Sequence, residues 1–314
     1  MEFKSFCDQI VSAMSDKYPE SEVELSEITK NNGVDHKCLT IKSKDCKVSE
    51  VIYLEPLYDA FINGCSFNDV LNRVEIARLD GQDQNFDVGY YRDFDKVRER
   101  VMIKLVNYDK NQKLLAQMPH RKYKDFAVLY YCLVGDKSSE GIIMIKNEHI
   151  KMWDVTENDL YDAACVNAIK NNDYVIMPLM EIVNERRGVT SKSALNDELS
   201  FEEDSLSFLK ILTNKDRTYG AATIMNPGLL YALACKYDSN FYILPSSVHE
   251  LILVIDEEDS FNQDKAAELY DMVRFVNMTE VATEDVLSDN VYYYDRNEDE
   301  LFDYYEIASK TGLA

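Results

Sequence analysis

Apolar residues near the start of the chain (Phe3, Phe6, Cys7, Ile10, Val11, Met14 and Tyr18) recur at helical spacing and predict an amphipathic helix over residues 2–18. Residues 23–29 and 38–42 read as strands around Asn31-Asn32-Gly33, the signature of a β-hairpin. A further strand at 48–54 precedes two helical patterns, 57–62 closed by Asn63-Gly64 and 67–79 opened by Ser66. Together these define a small N-terminal α+β unit over residues 1–85, with its boundary near 82–87.

Beyond it, residues 86–314 read as one larger α+β domain. Apolar runs at 101–107, 126–134, 142–146, 208–214, 221–225, 241–244 and 251–255 predict strands, and the unbroken run 126–134 should lie centrally in a sheet. Thr156, with Asp159 three residues on, opens a helix over 156–170. Asn226 and Pro227 open another to residue 237, and 263–277 is a third. A strand at 291–294 and a tail helix at 298–308 complete the pattern. The expected architecture is a mixed, mainly antiparallel sheet with packed helices. One central sheet should hold 126–134, 142–146, 208–214, 221–225 and 251–255. A Gly-x-x-x-Ile-x-Asn frame recurs at Gly141–Asn147 and Gly220–Asn226, so an internally duplicated strand–strand–helix unit is a possible reading. Residues 184–204 hold almost no large apolar side chains and are expected to be a mobile loop.

Charge changes the picture in two places. The chain carries a formal net charge of −23, which argues against non-specific attraction to phosphate backbones or anionic lipid. Yet residues 96–124 hold nine Lys/Arg against two acids, whereas residues 256–306 hold seventeen Asp/Glu against three Lys/Arg. No apolar stretch approaches the length of a membrane span, and the seven scattered cysteines include no zinc-type pair. A reducing cytoplasm is the expected setting, with no membrane association.

Candidate chemistry is thin. Ser246, Ser247, His249 and Glu250 place a nucleophile, a base and an acid within five residues, the component types of a serine hydrolase. Such members normally come from separate elements, and no Gly-x-Ser-x-Gly elbow is present. The competing reading gives His249 a structural role at the start of a strand, beside Leu251 and Leu253, largely buried and with a ring nitrogen bonded to backbone or a neighbouring hydroxyl. His120, Arg121, Lys122, Tyr123 and Lys124 mix basic and aromatic side chains, a combination also used on nucleic acid, although the overall charge disfavours that partner. Spacing for a metal site or a nucleotide-type cofactor is lacking, so none is expected.

Four segments carry a resemblance: Tyr53-Leu54-Glu55-Pro56-Leu57-Tyr58, Tyr219-Gly220-Ala221-Ala222, Leu244-Pro245-Ser246-Ser247-Val248-His249-Glu250, and Val286-Leu287-Ser288-Asp289-Asn290-Val291-Tyr292. They are similar to those of an uncharacterised family of gut-type Clostridia, and the Leu-Pro-Ser-Ser-Val-His-Glu segment also resembles a second uncharacterised Firmicutes family. The resemblance implies a bacterial, cytoplasmic protein and assigns no catalytic residue. Three functional readings stand. The first is a non-enzymatic binding or regulatory protein whose acidic surface meets a basic protein. The second is a small hydrolase-like enzyme centred on His249, and the third an acidic nucleic-acid mimic acting against a defence system. Oligomeric state and pathway are not legible.

Overall fold

A computed structural model of the chain describes residues 1–42, 51–82, 88–135, 141–181 and 208–310. The predicted strand at 48–54 lies partly outside these residues, and so does the boundary at 82–87. The loop expected at 184–204 lies wholly outside them. Two compact units are present, Met1–Asp93 with Leu133–Ile143, and Phe94–Cys132 with Met144–Ala314.

The first unit is a three-stranded antiparallel sheet with helices. β1 (Glu22–Thr29) and β2 (Asp35–Lys42) pair along their whole length from Glu22↔Lys42 to Thr29↔Asp35, and β3 (Val51–Tyr53) joins the other edge of β2. The connection is a 3-10 turn, Asn31–Gly33, in which Asn32 and Gly33 take positive φ, as the Asn-Gly signal requires. The Phe3–Lys17 helix buries Phe6, Cys7, Ile10 and Met14, the stripe its periodicity marked out. Those side chains pack with Leu39, Ile41, Ile52 and Leu54 and with Val70 and Val74 of the Phe67–Gln82 helix.

Beyond the N-terminal sheet there are two sheets, not one. The first has β4 (Val101–Asn107), β5 (Arg121–Tyr123), β6 (Phe126–Val134) and β7 (Gly141–Met144), with β6 between β4 and β5. The second is six-stranded. It uses β8 (Val175–Pro178), β9 (Leu209–Thr213), β10 (Phe241–Leu244), β11 (Leu251–Ile255), β12 (Tyr292–Asp295) and β13 (Glu300–Asp303) in the order β13-β12-β10-β11-β9-β8. Every pairing registered in it is antiparallel. The class is α+β, as expected, but of the five runs assigned to one central sheet four are divided between two sheets and the fifth, 221–225, is in neither.

Four further expectations are corrected. Residues 221–225 are not a strand: Gly220–Met225 is a 3-10 helix, and Gly220 to Ile224 are all buried. An apolar run of this length has no periodicity that separates a buried strand from a tight helical turn. The duplicated strand–strand–helix unit fails with it, because Gly141 opens a strand where Gly220 opens a 3-10 helix. The helix expected from residue 227 starts at Leu229, capped by Gly228 in the left-handed region rather than by Asn226. The tail at 298–308 is divided between β13 and a shorter helix, Tyr304–Lys310. By contrast the Glu157–Asn171 helix has the box its sequence announced, with the Thr156 hydroxyl and N–H both donating to the Asp159 carboxylate.

The core of the six-stranded sheet is aromatic. Tyr292, Tyr293 and Tyr294 are all buried on β12, and successive strand residues face opposite sides, so both faces of this strand are covered. A buried phenol needs an acceptor for its O–H. Each finds an aspartate: Tyr292 donates to Asp125, Tyr293 to Asp256 at 3.0 Å, and Tyr294 to Asp299. Of the three, Asp256 is itself buried, so this member of the acidic block serves the interior, whereas Asp299 stays exposed.

Candidate functional site

β10 ends at Leu244, and the chain then runs along the segment 285–288. The Val248 N–H donates to the Asp285 carbonyl at 2.8 Å, Leu287 N–H to Ser246 O at 3.1 Å and Ser288 N–H to Pro245 O at 3.0 Å. Ser247 bridges Val286 in antiparallel register. This zipper fixes the Pro245–Glu250 loop before β11 begins.

His249 lies in that loop rather than within a strand, its side chain about a third exposed at 34%. Its Nδ1 accepts the Tyr219 N–H at 3.2 Å, and its Nε2 faces Asp285 Oδ1, also at 3.2 Å. A backbone N–H directed at Nδ1 leaves the ring proton on Nε2, where it donates to the carboxylate. Both ring nitrogens are therefore occupied, and the acid at the histidine is Asp285, not Glu250. Ser246 is buried, and the Ser247 hydroxyl accepts the N–H of His249 itself at 3.0 Å. Neither serine Oγ is hydrogen-bonded to the ring. Below it, the His249 carbonyl accepts from Thr213 Oγ1 at 2.8 Å. Beside it, Tyr219 stacks on the imidazole at 5.6 Å between centroids and 15° between planes, with Lys104 Nζ 4.1 Å over the Tyr219 ring. The arrangement clasps the turn at Tyr219 and the loop at 285 onto the imidazole of His249, and β9 onto its backbone carbonyl.

A His249→Ala variant should lose about 1–2 kcal/mol, because the Tyr219 N–H and Asp285 lose partners while water reaches part of the gap. Thermal unfolding measures this, and an unchanged melting temperature would contradict the clasp.

Side chains of the 120–124 segment have partners within the fold. Arg121 grips Glu157 with two bonds at 2.8 and 2.9 Å while its guanidinium lies 3.6 Å from the Tyr161 ring centroid. Glu157 also accepts from Tyr130, and burial, which would raise its pKa, is outweighed by these two donors, so it titrates below the usual carboxylate range. Lys122 sits over Tyr108 at 4.6 Å, Lys124 pairs with Glu306 at 2.6 Å, and His120 Nδ1 lies 2.9 Å from the Met118 carbonyl. Tyr123 is half-buried. The stretch that resembled a nucleic-acid contact is in large part a set of struts.

Sequence reasoning singled out Ser246, Ser247, His249 and Glu250 but missed Asp285, Tyr219 and Thr213. One signal was available: the segments at 219–222, 244–250 and 286–292 were marked out together, and they converge here. Among the described residues no group of three or more His, Cys, Asp or Glu is placed to hold a metal ion, and no helix is long and apolar enough to cross a membrane. No curated protein and no solved structure matches the chain. A family model matches residues 3–296, nearly its whole length, and the chain thus belongs to a family of unknown function, DUF5688.

Proposed function

We propose that this protein is a non-enzymatic binding or regulatory protein that receives a basic, amphipathic segment of a protein partner on the outer face of its Gln263–Thr279 helix. One observation carries this reading. The helix buries Ala266, Val273 and Asn277 on its inner side but exposes Met272 at 43%, Phe275 at 67% and Met278 at 82%. Those three side chains continue a stripe that begins with the exposed acids Asp264, Glu268 and Asp271, at spacings of three and four residues. A merely solvated helix has no use for three large apolar side chains in two turns. Methionines adapt to varied shapes, and the acids supply charge complementary to a basic partner. The same surface would serve a mimic of nucleic acid only through its charge, leaving Phe275 and Met278 without a role. The hydrolase reading lacks a serine on either nitrogen of His249. A cytoplasmic setting belongs to the proposal.

A helical peptide of lysine and leucine, titrated by calorimetry at two salt concentrations, is the test. Wild type should bind in a salt-dependent manner, and Phe275→Glu with Met278→Glu should weaken binding roughly tenfold or more while unfolding as wild type does. Absence of binding, or binding that the double variant leaves unchanged, would remove the proposal.

A further inference from the structure

A second feature of the same unit has no part in that proposal. A cavity of about 220 Å³ opens where the β12–β13 hairpin, the start of the Leu229–Tyr237 helix, the end of β5 and the Glu157–Asn171 helix meet. Four tyrosines line it, Tyr123, Tyr161, Tyr231 and Tyr294, each from a different one of these elements, together with Asn226 and the carboxylate-bearing Asp299. This volume is below the roughly 300–1,000 Å³ of sites for drug-sized ligands, so it admits a headgroup or a side-chain tip rather than a nucleotide.

The chemistry of the wall selects what that group is. Tyrosine rings present a negative π face, and several rings around one cavity attract a desolvated cation. The phenols of Tyr123, Tyr231 and Tyr294 all titrate above the ordinary tyrosine range. Burial is the main cause at Tyr123 and Tyr294, and a hydrogen bond with Cys235 is the main cause at Tyr231. Negative charge adds to this beside each, from Glu300 at Tyr123, where Glu306 is already paired with Lys124, and from Asp299 at the other two. An anion would enter against those carboxylates. Tyr161 already carries a cation on its ring, the Arg121 guanidinium, whose charge is met by Glu157 outside this set. The Leu229–Tyr237 helix begins at the same wall, and its N-terminal end opposes a bare cation but accommodates a carboxylate carried on the same ligand.

We propose that the cavity walled by Tyr123, Tyr161, Tyr231, Tyr294 and Asp299 is an aromatic cage for a methylated ammonium group. Such a group is large, weakly hydrated and unable to donate a strong hydrogen bond, so ring faces replace its water at little cost. Two sources share this chemistry, a free small molecule and a trimethylated lysine side chain. The site does not depend on the outer face of the Gln263–Thr279 helix, and either can fail without the other.

The full chain should be titrated with choline, glycine betaine and a trimethyllysine peptide, alongside dimethylbutanol, the uncharged carbon isostere of choline, with tyrosine resonances followed by NMR. At least one of the three ammonium probes should bind roughly tenfold more tightly than the neutral isostere and shift Tyr231 and Tyr294. Which probe binds identifies the source. Tyr231 is 48% exposed, so Tyr231→Leu should fold normally and lose most of this affinity, whereas Tyr231→Phe, which keeps the ring, should retain it. Asp299→Asn should weaken binding several-fold without abolishing it. Equal binding of dimethylbutanol, no binding of any ammonium probe, or indifference to Tyr231→Leu would each overturn the assignment.

Discussion

A Gly220→Ala variant should lose about 3 kcal/mol of stability, near the upper end for overpacking a closed interior. A methyl group built on Gly220 would lie 2.1 Å from Thr213 Oγ1, 2.5 Å from the His249 carbonyl oxygen and 2.6 Å from the Asn214 backbone nitrogen. Two of those three atoms are backbone, and the third is a hydroxyl already committed to the His249 carbonyl. None can swing aside as the tip of a long side chain would. Gly220 is itself buried, at the start of the 3-10 helix whose Ala221 N–H donates to Val248 O at 3.3 Å. The substitution therefore pushes β9, the His249 loop and the 3-10 helix apart together. At about 2–4 °C per kcal/mol for a unit of this size, thermal unfolding should shift downward by roughly 6–12 °C. A shift below about 2 °C would show that the three elements are not held at the separation described.

The second large effect is expected at Asp256, whose carboxylate is only 1% exposed. It accepts the Tyr293 hydroxyl at 3.0 Å and the Ser260 N–H at 3.1 Å, and faces Lys265 Nζ at 3.4 Å. The network continues. Asn240 Nδ2 also donates to the Tyr293 hydroxyl oxygen, its N–H donates to Asp259, and Arg296 grips Asp259 at 2.6 Å. Asp256→Ala strands the buried Tyr293 hydroxyl, the N–H of the exposed Ser260 and one ammonium group. The Tyr293 hydroxyl costs about 1–3 kcal/mol, whereas Ser260 and the 35% exposed Lys265 can turn to water, so their shares are discounted. A net loss of about 2–4 kcal/mol is expected in chemical unfolding. Asp256→Asn keeps an oxygen for Tyr293 or Ser260 and should cost less than half as much. Equal losses in the two variants would mean that the charge, not the acceptor geometry, holds the network.

Local signals in the sequence were read accurately where one physical rule governs the outcome. Thr156 and Asp159 three residues apart can cap a helix and little else. The run Phe126–Val134 is a central strand, paired on both edges by β4 and β5 and buried on both faces from Phe126 to Cys132. The hairpin at Asn31-Asn32-Gly33 needs positive φ, which those residues supply. What stayed hidden depends on distant partners. Nothing local tells Gly220–Met225 to coil rather than extend; that follows from how closely Gly220 abuts β9. Nothing near His249 names Asp285, 36 residues on, as its acid, and the adjacent Glu250 was the misleading neighbour. The acidic tail showed helical spacing but is partly β13, because Leu301 and Phe302 pair with Tyr294 and Tyr293. Charge counting also does not show that Arg121 and Lys124 of the basic segment pair with Glu157 and Glu306.

The strand order has a consequence for synthesis. β10 is covered on one side by β11, which follows it almost at once, and on the other by β12, which emerges only after the Gln263–Thr279 helix. Phe241, Tyr242, Ile243 and Leu244 are all buried in the finished sheet, and three of them take β12 partners. A nascent chain that has not yet reached Val291 therefore displays an apolar strand edge with unsatisfied backbone groups, the kind of template that recruits other chains. Translation speed through residues 256–295, and a chaperone waiting at the exit tunnel, would then govern how much of the protein ever reaches its native state.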